Sequence, residues 1–304
     1  MKNVNLALIG GSEVRQYTVA ERLWELLSAV SGAHITYEVI PLATQLQVHD
    51  FYQNFLYKNA YRGFNIALPW KDELADTVDR IEPLSKLPVI NTIYRDGSQI
   101  VGTNTDPLAA QKAVEHVANL YKCSSALVLS TNDSGLPIAY NLQDTLGIKT
   151  YVYDAAASRT AKTIVRLATL DDVTARAYDL IVNTTPLGKY YLDHGVAAFS
   201  SPLNLELLGS ITHADSIIQE TNYLPTHTLL VQLARSLGRK TVTGEFMLCF
   251  RANESLKRFC GISLDERMFA IVAEEIREYI AEREAAILKL SGARQGRKKP
   301  HEPH

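Results

Sequence analysis

Apolar positions recur along the chain at two periods, and their alternation sketches the architecture. Residues 4–9 form a short apolar run ended by Gly10-Gly11, which reads as a strand entering a turn. Residues 20–30 carry Leu23, Leu26, Leu27 and Val30 at helical spacing. Residues 34–42 are β-branched and aromatic and predict a second strand, and 63–69, ended by Pro69, predict a third. The runs 87–94 and 99–102 flank Asp96-Gly97, a hairpin signal. These elements make a first α/β unit over residues 1–107.

From residue 108 the pattern becomes a regular strand–helix alternation. It predicts helices over 108–121, 138–146 (closed by Gly147) and 158–170, and strands over 125–130, 149–154, 179–183, 216–219 and 240–242. Such alternation implies right-handed crossovers and a mostly parallel, doubly wound sheet over 108–245. A long helical pattern from Phe246 to about Leu290 reads as C-terminal helices that join the first unit. Residues 291–304 are basic, contain Pro and have no apolar face, which predicts a disordered tail. The fold class is therefore α/β with two units.

Charge and composition narrow the function. The 304 residues carry a formal net charge of −2, which offers no general attraction to nucleic acid or to an anionic membrane. No apolar run approaches the length of a membrane span. Cys123, Cys249 and Cys260 have no metal-ligand spacing and read as small buried hydrophobes in a reducing cytoplasm. The eight histidines show no paired metal spacing, and no Gly-x-Ser-x-Gly elbow is present, so neither a catalytic metal nor a serine hydrolase is expected.

The informative stretch runs from Gly63 to Asp106. It contains Gly63-Phe64-Asn65-Ile66-Ala67-Leu68-Pro69-Trp70-Lys71, then Val89-Ile90-Asn91-Thr92, then Gly102-Thr103-Asn104-Thr105-Asp106. Here the chain resembles the shikimate/quinate dehydrogenase family, which shows G-F-N-V-T-x-P-x-K, A-V-N-T and G-x-N-T-D in the same order and at similar spacing. The resemblance implies a substrate-binding α/β domain followed by a Rossmann-like dinucleotide-binding domain. It also implies that Lys71 and Asp106 bind the reacting hydroxyl, with Lys71 as the acid/base, and that Asn91 binds substrate. The chemistry agrees: a carbinol that loses hydride must also lose a proton to a group within hydrogen-bond reach. A structural ion pair at the domain junction is the competing reading of Lys71 and Asp106.

Other positions depart from the family pattern. Its S-x-S turn, which holds the substrate carboxylate, matches Gln16-Tyr17-Thr18, so Thr18 keeps one hydroxyl and Gln16 replaces the other with an amide. Its N-V-T threonine is Ala67, and the glutamine of its M-L-x-x-Q is Arg251, after Met247-Leu248. Arg251 reads either as a new cation in the site or as a solvated helix residue. Tyr223 fits the family's Y-x-P-x-x-T. A polar site rejects ligands that leave its groups unpaired, so these changes predict that shikimate itself fits poorly.

The dinucleotide turn is rewritten. The family's G-A-G-G-A is Ser130-Thr131-Asn132-Asp133-Ser134 here, followed by Gly135-Leu136-Pro137. Thr131, Asn132, Ser134 and Gly135 become the candidate phosphate-turn residues, since Asn and Asp tolerate positive φ. Asp154 ends the next strand, where an acidic residue suits the ribose of NAD; a capping role is the alternative. The family's N-R-T at this point is Asp154-Ala155-Ala156, with Arg159 a few residues on, so NAD is expected over NADP. Asn183 and Thr184, from an N-A-T-P-x-G-like loop, and Gly244 complete the cofactor candidates. The resemblance implies an oxidoreductase acting on a cyclic polyol acid, as a monomer or homodimer in the cytoplasm. The alternative is a redox-silent polyol-acid-binding protein that has lost the glycine-rich turn.

Overall fold

A computed structural model describes residues 3–58, 60–82, 87–130, 133–154, 165–167, 169–189 and 200–295. Within them the chain forms two six-stranded sheets. The first contains β1 (Val4–Gly10), β2 (Ile35–Pro41), β3 (Gly63–Ile66), β4 (Arg80–Ile81), β5 (Thr92–Asp96) and β6 (Gln99–Thr103), ordered β2-β1-β3-β5-β6-β4. β1 runs parallel to β2 and β3, whereas β5 is antiparallel to both β3 and β6. Along β1 the period of two divides the core. Leu6 and Leu8 face a cluster with Leu23 and Leu27, while Ala7 and Ile9 face another with Phe55 and Phe64.

Three helices connect the early strands: α1 (Val14–Tyr17), α2 (Ala20–Ser31) and α3 (Gln45–Lys58). The expected apolar stripe of α2 is buried, and the helix ends on Gly32 at φ 67. The sequence pattern predicts no element at α3, because only Val48, Tyr52 and Phe55 of its fourteen residues are buried. Its amphipathic signal is thin until a sheet face is supplied.

The second sheet is parallel throughout, ordered β12-β11-β10-β7-β8-β9. Its strands are β7 (Ser125–Leu129), β8 (Lys149–Tyr153), β9 (Val165–Leu167), β10 (Tyr178–Asn183), β11 (Thr212–Glu220) and β12 (Lys240–Val242). Around it lie α4 (Asp106–Val117), α5 (Gly135–Tyr140), α6 (Leu170–Thr174), α7 (Leu205–Ser210) and α8 (Leu229–Ser236). β7 is buried on both faces, with Ala126 and Val128 in one core and Leu127 and Leu129 in the other. That is why it reads as a continuous apolar run rather than an alternating one.

Two expectations need correction, the helix over 158–170 and the start of the tail at 291. Residues 158–170 were expected to be helical, yet Val165–Leu167 pair in parallel with Tyr151–Tyr153 as β9. A β-branched residue beside the open edge of β8 follows the sheet rather than local helix spacing. The helix starts later, where Thr169 and Asp172 form a reciprocal capping box for α6. The C-terminal pattern is two helices, α9 (Gly244–Cys260) and α10 (Glu266–Gln295), broken at Gly261 with φ 71. The left-handed glycine closes α9, and Asp265 caps the start of α10 by accepting from Met268 N at 2.7 Å. α10 also runs into the stretch expected to be a tail, whose residues 296–304 lie outside the described ones.

α9 ties the halves together. Its Leu248, Ala252 and Leu256 pack in the core of the first sheet, while Met247 packs in that of the second. Arg251, one turn beyond Met247, is thereby held at the cleft between the sheets.

Candidate active site

β3, β5 and β6 are neighbours in one sheet, so three motifs far apart in sequence end side by side. The main chain knits them: Ile66 N donates to Asn91 O at 2.8 Å, Ile90 N to Lys71 O at 2.8 Å, and Asn91 N to Thr103 O at 3.0 Å. Asn91 is the side-chain hub. Its Oδ1 accepts from Thr105 N at 3.0 Å, and its Nδ2 donates to Asp106 Oδ1 at 2.9 Å. Asp106 opens α4 and is fully buried, with its own N–H bonded to Asn104 Oδ1.

Lys71 Nζ reaches Asp106 Oδ2 at 2.5 Å. Burial alone would raise the pKa of Asp106. The positive charges of Lys71 and Arg251, with hydrogen bonds from Lys71 and Ser134, outweigh that and hold it at about 2. Ser134 Oγ sits between the two: it accepts from Lys71 Nζ at 2.9 Å and donates to Asp106 Oδ2 at 3.0 Å. The dyad thus already clasps one hydroxyl from donor and acceptor sides.

A cavity of about 470 Å³ opens over Lys71. Thr18, Asn91, Tyr223 and Arg251 line it from the side of the first sheet, and Ser130 and Lys189 from the side of the second. Arg251 is no solvated bystander, since its Nη1 lies 3.6 Å from Asp106 Oδ1. Gln16 is absent from the described lining residues, and its carbonyl instead accepts from Arg283 Nη2 at 2.9 Å. The exchange of a serine for Gln16 therefore removes a cavity hydroxyl without replacing it there.

Sequence reading missed four lining residues. Tyr37 donates to Asn65 Oδ1 at 2.9 Å, and Asn65 Nδ2 donates to Ser255 Oγ at 3.0 Å. Tyr37 lies on a strand recognised only by its apolar character, and Ser255 on a helix with no motif around it. Lys189 directly follows the Asn183–Gly188 loop, and its position was legible but not weighed.

The turn after β7 holds its shape without its glycines. Ser130 takes φ 91, the one non-glycine residue with positive φ among those described, at the position of the family's first glycine. A Cβ on Gly135 would lie 2.3 Å from Ser130 O and 2.7 Å from Thr184 Oγ1, so this residue must be glycine. The switch point between β7 and β10, where open parallel sheets bind ligands, is thus formed, and the fold fits a dinucleotide there. Thr131 and Asn132 lie outside the described residues. Ser134 turns to the dyad, and Asp154 stands 3.5 Å from Ser130 Oγ. Thr184 Oγ1 donates to Leu129 O at 2.7 Å, and Asn183 Nδ2 donates to the Glu220 carboxylate at 3.0 Å. These two residues shape the loop with side chains already committed to it. Gly244 permits close approach, since a Cβ there would meet Asn222 O at 2.2 Å.

No family model matches the chain. The shikimate dehydrogenase (NADP(+)) of Clostridium botulinum is 27% identical over 221 residues, covering 71% of this chain and 82% of that protein. The chorismate mutase/shikimate 5-dehydrogenase fusion protein of Clostridium acetobutylicum superposes with a TM-score of 0.81 at 22% identity, over 92% of this chain and 100% of that one. The shikimate 5-dehydrogenase of Thermus thermophilus, solved with NADP(H) and shikimate, gives 0.75 at 20% identity, over 90% and 99%. The fold is that of the two-domain α/β dehydrogenases. In sequence, the chain is similar to shikimate dehydrogenases of that fold.

The expected preference for NAD does not stand, because the Clostridium botulinum relative is named for NADP(+) and the Thermus protein holds NADP(H). That expectation leaned on Asp154 and on the missing Arg directly after it. One acidic residue at a strand end does not set the potential of a whole loop, and residues 155–164, with Arg159, lie outside the described ones.

Proposed function

We propose that this protein is an oxidoreductase that transfers hydride between NADP(H) and a ring hydroxyl of a shikimate- or quinate-like cyclic polyhydroxy acid, in the cytoplasm. Residues 1–107 with α9 and α10 form its substrate half, and 108–245 its dinucleotide half. The observation that carries the reading is the Ser134 hydroxyl held between Lys71 Nζ and Asp106 Oδ2. A donor and an acceptor converging on one oxygen is the arrangement a carbinol undergoing oxidation needs.

In this reading the substrate hydroxyl takes the place of Ser134 Oγ. Asp106 is ionised above about pH 2, so it acts as a fixed acceptor that orients the hydroxyl and anchors Lys71. The proton is exchanged at Lys71 Nζ: toward the alcohol, its ammonium donates to the carbonyl oxygen, and toward the ketone, its amine accepts. Asn91 keeps Asp106 in place through the bond to Oδ1. Thr18 and Tyr223 orient the ring and its carboxylate from the cavity wall. Ser130, Gly135, Thr184 and Gly244 shape the crevice for the nicotinamide cofactor, which, when bound, supplies or accepts the hydride.

The test is turnover. Absorbance at 340 nm is followed with NADP(+) and a panel of cyclic polyol acids, alongside fluorescence titration with NADPH. Saturable turnover with at least one such acid is expected. A folded protein that binds no NADPH and reduces NADP(+) with none of them would refute the reading and leave a polyol-acid-binding protein.

A further inference from the structure

α10 buries one apolar stripe in the core of the first sheet: Val272, Ala273, Ile276, Ile280 and Ile287. Position 283 lies three residues after Ile280 and four before Ile287, so it falls on that stripe. It holds an arginine, and the side chain is half-buried. A guanidinium there gives up water and needs acceptors to offset the cost. Its hydrogen bonds go to two main-chain carbonyls: Nη1 donates to Thr18 O, and Nη2 donates to Gln16 O at 2.9 Å.

Those carbonyls flank Tyr17 in the turn that ends α1. Carbonyls at the end of a helix lack partners within it, and an arginine can supply them. The carbonyl between the two, Tyr17 O, accepts from Tyr223 Oη at 3.4 Å. Three consecutive carbonyls of the turn are thus gripped, two by α10 and one by the loop after β11. Thr18 leaves the helix with extended backbone, φ −75 and ψ 145, and its Oγ1 accepts from Ala20 N at 3.2 Å. Thr18 lines the cavity, whereas Arg283 is not among the described lining residues. A planar fork that spans carbonyls two residues apart fixes the main chain on both sides of Tyr17, and with it the place of Thr18 in the cavity wall.

We propose that Arg283 is a positioning residue for substrate: it holds the Gln16–Thr18 turn in the shape that presents Thr18 to the acid group of a cyclic polyol acid, without touching the ligand itself. This rests on the cavity being the substrate site of the proposed dehydrogenase. With no hydroxyl at Gln16, recognition by this turn depends on Thr18 standing in one place. A helix remote in sequence from every motif of the site thereby sets part of its specificity.

The test compares Arg283→Met and Arg283→Lys in the full chain, with Arg267→Met as a control at an exposed position of the same helix. Hydrogen–deuterium exchange reads the turn directly. Arg283→Met should speed exchange over residues 14–20 by about fivefold or more, while β7 keeps its protection. Kinetics with NADP(+) and the best acid of the cyclic polyol panel read the function. KM for the acid should rise about 10- to 30-fold, with kcat within about twofold of the wild type. Calorimetric titration without cofactor, using shikimate, quinate and their methyl esters, should show the preference for acid over ester narrowing by a similar factor. Lys is a single point charge that holds one carbonyl at a time, so Arg283→Lys should recover part of each effect. Arg267→Met should match the wild type.

Unchanged exchange over the turn in Arg283→Met overturns the proposal. So does faster exchange with KM and the acid-over-ester preference unchanged, since Arg283 would then only brace the fold. A fall in kcat and melting temperature with KM intact overturns it as well. Binding of none of the acids overturns this inference and the dehydrogenase reading together. Acid binding weakened by Arg283→Met, in a protein that never reduces NADP(+), would keep the inference and remove the dehydrogenase reading. Wild-type turnover shared unchanged by all three variants would do the reverse.

Discussion

Two strand-end sites in this molecule have drifted by different rules. At the ends of β3, β5 and β6, the residues that touch the dyad are those of the resembled family, down to Asn91 and the Thr105–Asp106 step. At the end of β7, every glycine of the turn has been exchanged, yet Ser130 still takes φ 91 and Gly135 still packs against its carbonyl. Where a side chain must carry a charge or a proton, only that side chain serves. Where the backbone makes the contact, any residue able to reach the dihedral serves, at a cost in strain.

The largest effect should come from the first site. Lys71→Met is expected to lower kcat/KM by about 10²- to 10⁴-fold, as loss of a positioned acid/base does, with far-UV circular dichroism unchanged. A loss under about threefold in progress curves at 340 nm would reduce Lys71 to a structural partner of Asp106.

Next comes the turn. Gly135→Ala places a methyl against the Ser130 carbonyl, a backbone obstacle that cannot rotate away. It should destabilise the protein by about 1–3 kcal/mol and abolish NADPH binding, while polyol-acid binding at the dyad survives. Urea unfolding and the two titrations together check this; loss of both ligands in parallel would erase the distinction between the sites.

A third test concerns Glu220, buried behind the loop after β10. Burial outweighs its hydrogen bonds from Asn222, Asn183 and Thr228 and raises its pKa to about 7. The folded state therefore holds an extra proton between the unfolded carboxyl range, near pH 4.5, and about pH 7. This contribution is full below that window and is lost as pH rises through it, on the order of 3 kcal/mol. Glu220→Gln should flatten that fall in a denaturation series from pH 4.5 to 8. Parallel curves for the two proteins would assign the fall to other groups.

The smallest effect is Ser130→Gly. Relief of the left-handed strain, offset by glycine's greater freedom when unfolded, should stabilise by about 0.5 kcal/mol. A loss of stability instead would mean that the 3.5 Å contact of Ser130 Oγ with Asp154 contributes more than the dihedral costs.

Much of the architecture was legible from periodicity. Strand β7 announced itself as an apolar run, and Asp96-Gly97 set the β5–β6 hairpin. What failed had a common cause. Residues 165–167 joined a sheet because β8 had an open edge, and α3 became a helix because a sheet face lay beneath it; neither fact is local. In the site, Lys71, Asp106 and Asn91 were singled out because the three motifs that hold them resemble those of the shikimate/quinate dehydrogenases. Tyr37 and Ser255 were not, because no motif surrounds them, whereas Lys189 directly follows the Asn183–Gly188 loop. Arg251 could be read as a change of charge, but not as a neighbour of Asp106.

The sequence thus determined the fold class through strand–helix spacing, and its resemblance to a family's motifs singled out the dyad and the rewritten turn. The tertiary structure decided that Ser134 is clasped by the dyad, that Gln16 lies off the cavity, and that Lys189 meets Tyr17 across the cleft. Those outcomes depend on how two sheets and α9 pack, and packing joins residues as far apart in sequence as Gln16 and Arg283, which no local pattern relates.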